Sequence, residues 1–213
     1  MSLSKEQEAI KTNIKNAFKV VKSTYDNISN LFSFFRTEID DYSYERCPNI
    51  PFLRWRTDDE KNPWGWFFHN LFVLFQKKSD EEMENKWRNG PLYCVEFCLH
   101  SNEHDSTPCI FLHRFEYKNI LNWSAGCGQG ENWRVYWPFR DKSNNDIVIV
   151  DESQKIIKAT PKTEKYSDKH WGYISDYRME IDLVDLTSDN IKEKVFDNFD
   201  HLDEIANGNK VNV

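Results

Sequence analysis

Residues 92–117 read LYCVEFCLHSNEHDSTPCIFLHRFEY, and their alternation decides the fold class. Side chains two positions apart in a strand point to the same face, so each half of this stretch predicts a strand with two distinct faces. The polar segment 101–108 between the halves predicts the loop of an antiparallel hairpin. The positions that share one face in each half are Cys94, Glu96, Cys98 and His100, and then Cys109, Phe111, His113 and Phe115.

The pattern before residue 92 is helical, and the pattern after it is mainly that of strands. Helix, then a run of strands, then helix predicts an α+β fold with a mainly antiparallel sheet. We therefore expect a single domain over residues 1–213, with its β-rich core at 92–186. The expected strands are 92–100, 109–117, 132–137, 146–151, 155–160 and 178–186.

Residues 4–41 predict a long amphipathic helix. Ser4 and Gln7 have the spacing of a capping box at its start. Two interpretations of its apolar stripe are open: the helix packs on the domain core, or it forms a coiled-coil arm that makes a homodimer or binds a protein partner. The stripe consists of Ile10, Ile14, Ala17, Val21, Tyr25, Ile28, Phe32 and Phe35.

Two further helices complete the expected fold. Asn62-Pro63 is a typical helix start, and the apolar run after it predicts a second, aromatic-rich helix over 64–77 that packs on the sheet. A strand is the alternative there, because aromatic residues suit both structures. Thr187 precedes an apolar helical pattern that predicts the C-terminal helix 188–205. The polar residues 206–213 are expected to be a flexible tail.

Composition and charge exclude some function classes. The 213 residues carry 28 basic against 35 acidic side chains, and the net charge of −7 does not favour nucleic-acid binding. No apolar run approaches the roughly 20 residues that a bilayer requires, so no membrane association is expected. Five cysteines without a signal sequence predict thiols in a reducing cytoplasm.

The histidines and cysteines of the hairpin are the candidate metal ligands. Zinc prefers thiolate and imidazole ligands, and manganese is an alternative for a hydrolase. The C-x3-C and H-x3-H spacings fit no zinc template, so buried thiols and solvated histidines are the favoured interpretation and no cofactor is expected. The metal candidates are His100, His104, Cys109 and His113.

Two residues are candidates for catalysis. Glu96 is a carboxylate on the cysteine face of the first strand, where a hydrolase, metal-dependent or nuclease-like, would need one. Cys127 lies in a loop with three glycines, which suits an exposed nucleophilic thiol, but a permissive loop between two strands is the favoured interpretation of the glycines.

Aromatic and basic residues cluster in two places, and of all the features of the sequence these clusters most resemble a binding surface. Flat rings beside guanidinium groups stack on planar ligands, although an ordinary aromatic core with arginines at its rim is the favoured interpretation of the clusters themselves. The candidate binding residues are Trp55, Arg56, Trp123, Trp133, Arg134 and Trp137. The sequence thus favours a non-enzymatic intracellular binding protein, with the hydrolase on the central hairpin as the alternative.

Overall fold

The structure is a computed structural model that describes residues 4–37, 42–47, 53–55, 68–100, 108–118, 120–123 and 133–208. The chain divides into two compact units, residues 1–38 and residues 39–213. The fold is α+β, with a long N-terminal helix, an antiparallel sheet and a C-terminal helix, as the sequence predicts.

The first unit is the helix α1, Lys5–Thr37. The predicted capping box is present at its start. The Ser4 amide donates to Gln7 Oε1 (2.9 Å), and the Gln7 amide donates to Ser4 Oγ (3.2 Å), so two otherwise unpaired amides are satisfied. The predicted residues 38–41 lie outside the described residues.

Eight strands form one sheet within the described part of the second unit. The order is β1-β3-β4-β5-β8-β7-β6, with β2 also paired to β3, and all the pairs are antiparallel. The strands are β1 (Tyr44–Arg46), β2 (Leu53–Trp55), β3 (Asn70–Lys77), β4 (Leu92–Cys98), β5 (Cys109–Tyr117), β6 (Asn145–Asp151), β7 (Ile156–Pro161) and β8 (Tyr173–Asp182).

The predicted hairpin is the centre of this sheet. Strands β4 and β5 pair so that Cys94 lies opposite His113 and Cys98 lies opposite Cys109. Strand β3 covers the other edge of β4, and β8 covers the other edge of β5. The side chains of the hairpin are buried on both faces of the sheet, with the exception of Glu116 on β5.

The prediction of an aromatic-rich helix over 64–77 is wrong for its second half. Asn70–Lys77 is the strand β3, which lies between β1 or β2 on one side and β4 on the other. A central strand that is buried on both faces reads as a continuous apolar run, so it lacks the alternation that identifies a strand with one solvated face. The first residues of the predicted helix, 64–67, lie outside the described part of the chain.

The predicted strand over 132–137 is also wrong, because Trp133–Arg140 forms the helix α2. Bulky aromatic and β-branched residues suggested a strand, but such propensities yield to tertiary packing. Val135 and Phe139, four residues apart and therefore on one helix face, are buried beneath α2. The helix packs over β6, β7 and β8.

The opposite face of the sheet packs on the C-terminal helix. This segment begins with the 3₁₀ turn Ser188–Asn190, continues as a π-helical turn over Lys192–Phe196 and ends as α4, Asp197–Ala206. The Phe199 ring lies 5.2 Å from the Tyr93 ring, and Asp203 accepts from Arg114 Nε (2.6 Å) and Lys77 Nζ (2.7 Å). The predicted inward residues are all buried: Ile191, Val195, Phe196, Phe199 and Leu202.

Two of the remaining strands, β6 and β7, agree closely with their predicted positions, but β1, β2 and β3 lie before residue 92, so the sheet extends beyond the predicted β-rich core 92–186. Strands β6 and β7 form the predicted hairpin, whereas β8 begins earlier than expected, at Tyr173, and ends at Asp182. The short helix α3, Glu164–Lys169, precedes β8 and is capped by the Thr163 hydroxyl. This segment places residues 169–171 close to the end of α2.

Candidate functional site

A buried network of ionisable side chains lies on the sheet face beneath α2. It is built from neighbouring strands: Glu96 on β4, His113 on β5 and Asp176 on β8. His113 Nε2 is 3.1 Å from Glu96 Oε2, and His113 Nδ1 is 2.9 Å from Asp176 Oδ2. Exposure is 1% for His113 and 0% for both carboxylates, so the three groups contact one another and not solvent.

Glu96 has three partners, and they determine its ionisation. Besides His113, it accepts hydrogen bonds from Arg140 Nη2 and Asn70 Nδ2. Burial alone raises the pKa of Glu96, but the positive charge of Arg140 and the hydrogen bonds lower that pKa to about 2. Glu96 is therefore a carboxylate at neutral pH, and its buried charge is neutralised by Arg140 from α2.

Asp176 has the opposite environment. Its Oδ2 contacts His113, but its buried Oδ1 has no hydrogen-bond partner. Burial raises the pKa of Asp176 to about 6, because His113 and Arg178 only partly offset the loss of water. For His113, burial lowers the pKa, but the two carboxylates outweigh it and raise the pKa overall.

The structure brings together only some of the candidate hairpin residues. Glu96 and His113 meet directly, whereas Cys109 lies opposite Cys98 and not beside His113. His100 is exposed beyond the end of β4, with its ring 5.4 Å from the His69 ring. Candidates His104 and Cys127 lie outside the described residues.

No three His, Cys, Asp or Glu side chains of the described residues are arranged to hold a metal ion. Cysteines 47, 94, 98 and 109 are buried and form no disulfide with one another. Burial raises the pKa of the Cys94 thiol well above its usual value, so this sulfur is neutral and a poor metal ligand.

Asn70, Arg140 and Asp176 belong to the network but were missed in the sequence. Arg140 lies beyond the expected strand 132–137, and Asp176 lies before the expected strand 178–186. A sequence pattern that could have identified Asp176 does exist. Asp176, Arg178 and Glu180 are spaced two residues apart, so they share one face of a strand if that strand is taken to begin at Tyr173. No comparable pattern in the sequence indicated that residues 133–140 form a helix.

The predicted aromatic–basic residues divide into a buried and an exposed part. The Arg134 guanidinium carbon lies 3.9 Å from the centre of the Trp123 ring and 5.2 Å from that of Trp171. Trp123 and Arg134 are both only 4% exposed, so they act as core residues. Trp137, which is 36% exposed, is the member of this set that reaches the surface.

The other three predicted binding residues contribute no described side chain. Trp55 ends β2, and Trp133 begins α2. Arg56 lies outside the described residues.

A pocket of about 370 Å³ lies between the end of α2 and the segment before β8. It is lined by Trp137, Asp141, Lys169, His170 and Trp171. Two indole rings, one carboxylate, one ammonium group and one imidazole thus surround the same space. This volume is near the lower end of the range that is usual for ligand-binding pockets in proteins, so it suits a small ligand.

His170 is the unusual residue of this pocket. It is 6% exposed, and neither of its ring nitrogens has a hydrogen-bond partner. Burial, and then the neighbouring Lys169 charge, lower the pKa of His170, so the imidazole is neutral at pH 7. An unsatisfied buried polar group costs about 1–3 kcal/mol, so the fold retains an unfavourable group at this position.

Trp171 also has an unfavourable backbone conformation. Its φ of 60° lies in the left-handed region, and Gly172 follows with a φ of 79°. For a bulky residue this conformation is uncommon, and strain of this kind concentrates at ligand-binding sites. The strained backbone and the unpaired imidazole are adjacent, on the same side of the pocket.

No family model, curated protein or solved structure matches this chain. The part of the chain that the structure describes contains no helix with the length and apolar character needed to cross a membrane. The buried network and the pocket are the two features of the described residues that bear on function.

The first prediction concerns the Glu96–Arg140 pair. Glu96→Gln and Arg140→Met should each lower the free energy of unfolding by about 3–5 kcal/mol, because each leaves the other charge buried without its partner. The double variant should lose at least about 1 kcal/mol less than the sum of the two. Urea denaturation measures all three, with Glu116→Gln as a half-exposed control on β5. Strict additivity would contradict direct pairing.

The second prediction concerns pH and Asp176. The folded-state pKa of about 6 exceeds the ordinary value of 3.8, so the folded state binds more protons between pH 4 and 6. The unfolding free energy of the wild type, measured relative to Asp176→Asn, should therefore fall as pH rises through this window and level off above it.

Chemical denaturation at a series of pH values measures this difference. Asp182→Asn, an exposed change at the end of the same strand, should preserve the wild-type pH dependence. A difference between wild type and Asp176→Asn that rises with pH would show that Asp176 is stabilised as a carboxylate.

Proposed function

We propose that this chain is a non-enzymatic binding protein that holds a small planar ligand in the pocket between α2 and the segment before β8. The observation that carries this proposal is His170, a buried neutral imidazole whose two nitrogens have no partner. A neutral imidazole offers one donor and one acceptor, so it can recognise a ligand that carries both. An unpaired group of this kind is satisfied if a ligand or a water supplies the missing bonds.

The two tryptophans support a planar ligand. Trp137 is partly exposed and Trp171 is half-buried, and both line the same pocket. Indole rings bind flat groups by stacking and provide large contact areas with few rotatable bonds. His170 lines the same pocket, so a ligand bound between the indole rings is next to the imidazole.

We also propose that the protein acts in the cytoplasm. The four described cysteines are buried and form no disulfide with one another, which fits a reducing environment. The net charge of −7 continues to disfavour nucleic acid as the ligand.

A hydrolase on the central hairpin is the second candidate, and it has one supporting observation, the contact of Glu96 with His113. Both side chains are enclosed in the core and are already bound to Asp176, Arg140 and Asn70. A zinc or manganese ion would have to replace these partners. The pocket therefore has the stronger support.

The third prediction tests the pocket with known probes. Adenosine, nicotinamide and free tryptophan should be titrated into the intact chain, with nuclear magnetic resonance of the His170 ring as the signal. We expect saturable binding of at least one probe, weakened about tenfold or more by Trp137→Ala and by His170→Phe. Val184→Ala, an exposed change outside the pocket lining, is the control for binding.

His170→Phe has a second expected effect that needs no ligand. Because phenylalanine has a similar shape and no polar atoms, the melting temperature should rise by a few degrees as the unsatisfied nitrogens are removed. Binding that is equal in all variants, the absence of any saturable probe, or a large loss of stability in His170→Phe would contradict the proposal.

We also propose that the helix α1 mediates association with a protein partner or with a second copy of the chain. Its N-terminal half exposes apolar side chains, including Ile14 (54%) and Phe18 (63%). Exposed apolar surface of this kind is typical of interaction sites.

The fourth prediction follows from this exposure. The wild type should sediment as a dimer at high micromolar concentration, and the Ile14→Asp, Phe18→Asp variant as a folded monomer. Lys15→Glu, on the same helix, is the control for a change of charge alone. A monomeric wild type would exclude the homodimer and leave only a different protein as partner.

A further inference from the structure

Arg178, on β8, is a buried cation without an ion-pair partner among the described residues. It is 9% exposed, and its guanidinium carbon lies 4.2 Å from the centre of the Phe111 ring and 4.4 Å from that of Phe139. Burial lowers the pKa of Arg178, but a guanidinium remains protonated in proteins. Its nitrogens form no hydrogen bond with the part of the chain that the structure describes, and they are not fully enclosed, so they retain contact with solvent.

The charges around Arg178 do not balance. Glu96, His113 and Asp176 share two hydrogen bonds, and each bond needs one proton. Whether the proton between His113 and Asp176 resides on nitrogen or on oxygen, the three groups together carry one negative charge. Arg140 neutralises that charge through its bond to Glu96. Arg178 is then one positive charge in excess.

The other groups on this face do not supply the missing anion. Within the sheet, Arg178 is flanked by His113 on β5 and Ile157 on β7. The next residue on the same face of β8, Glu180, already pairs with Lys155 (3.3 Å). The thiols of Cys94 and Cys98 are neutral, because burial raises the pKa of the first and a hydrogen bond to Cys109, with burial, that of the second.

We propose that Arg178 binds a small oxyanion, the carboxylate or phosphate group of a ligand. A guanidinium presents parallel N–H donors that match such groups in a bidentate manner. The two phenylalanine rings hold its plane before the anion arrives, so little side-chain freedom is lost on binding. The bound anion supplies the negative charge that the network lacks. None of the five residues that line the His170 pocket takes part in this site, so the inference stands independently of the proposed function.

The effect of an oxyanion on stability tests this site. The intact chain should be melted at low ionic strength with increasing inorganic phosphate or acetate, with chloride held at matched ionic strength as the reference. A ligand that binds the folded state raises the melting temperature saturably. A rise with phosphate and not acetate assigns a phosphate-type ligand, and the reverse assigns a carboxylate.

Variants of Arg178 separate binding from a structural role. Arg178→Met should lose the anion-dependent rise, and its melting temperature without anion should equal or exceed that of the wild type, because an unbalanced buried charge is removed. Arg178→Lys keeps the positive charge but lacks the parallel N–H donors of the guanidinium, so the apparent Kd for the anion should rise about tenfold. Lys158→Met, one strand away on the opposite face, should keep the wild-type response.

Three results would overturn the proposal. The first is no saturable rise of the wild-type melting temperature with either anion. The second is an equal rise in Arg178→Met, which would place the anion elsewhere. The third is a melting temperature of Arg178→Met, measured without anion, that is several degrees below that of the wild type. This would mean that Arg178 stabilises the fold through its contacts within the chain.

Discussion

The neutralisation of the Glu96 carboxylate is the interaction on which the arrangement around the sheet depends. A charge in the middle of a sheet, with none of its surface exposed, is tolerated only if it is paired and hydrogen-bonded. Two of its partners, Asn70 and His113, come from adjacent strands and follow directly from the register. The third, Arg140, comes from outside the sheet, at the end of α2. Pairing Glu96 therefore requires that α2 lie over this face.

The position of α2 has consequences on both of its sides. Toward the sheet it brings the Phe139 ring against His113 and Arg178. At its outer side it places Trp137 at the pocket, while Arg134 stacks on Trp123 and Trp171. One short helix thus links the buried charges, the proposed oxyanion site and the proposed ligand pocket. A substitution in the network is expected to affect the pocket through α2 and not through a direct contact.

The sequence predicted those parts of the structure whose two faces carry different kinds of residue. The pairing of β4 with β5, the common face of Glu96 and His113, strands β6 and β7, and the C-terminal helix all followed from periodicity. Strand β3 did not, because residues 71–75 are apolar on both faces of the strand and therefore show no alternation. Helix α2 did not, because its residue types suit a strand and only the fold supplies Val135, Phe139 and Arg140 with their partners. His170 carried no signal, since an unpaired imidazole is a property of its surroundings.

Hydrogen exchange of the α2 backbone amides tests the central claim, that the Glu96–Arg140 pair holds this helix on the sheet. In Glu96→Gln, we expect the hydrogen-bonded amides of the last turn of α2, those of Trp137, Phe139, Arg140 and Asp141, to exchange about tenfold faster or more than in the wild type, because local opening of the helix becomes easier. The amides of the central strands β4 and β5 should remain the most strongly protected. Exchange of α2 that is unchanged, or that accelerates only together with every strand of the sheet, would contradict the claim.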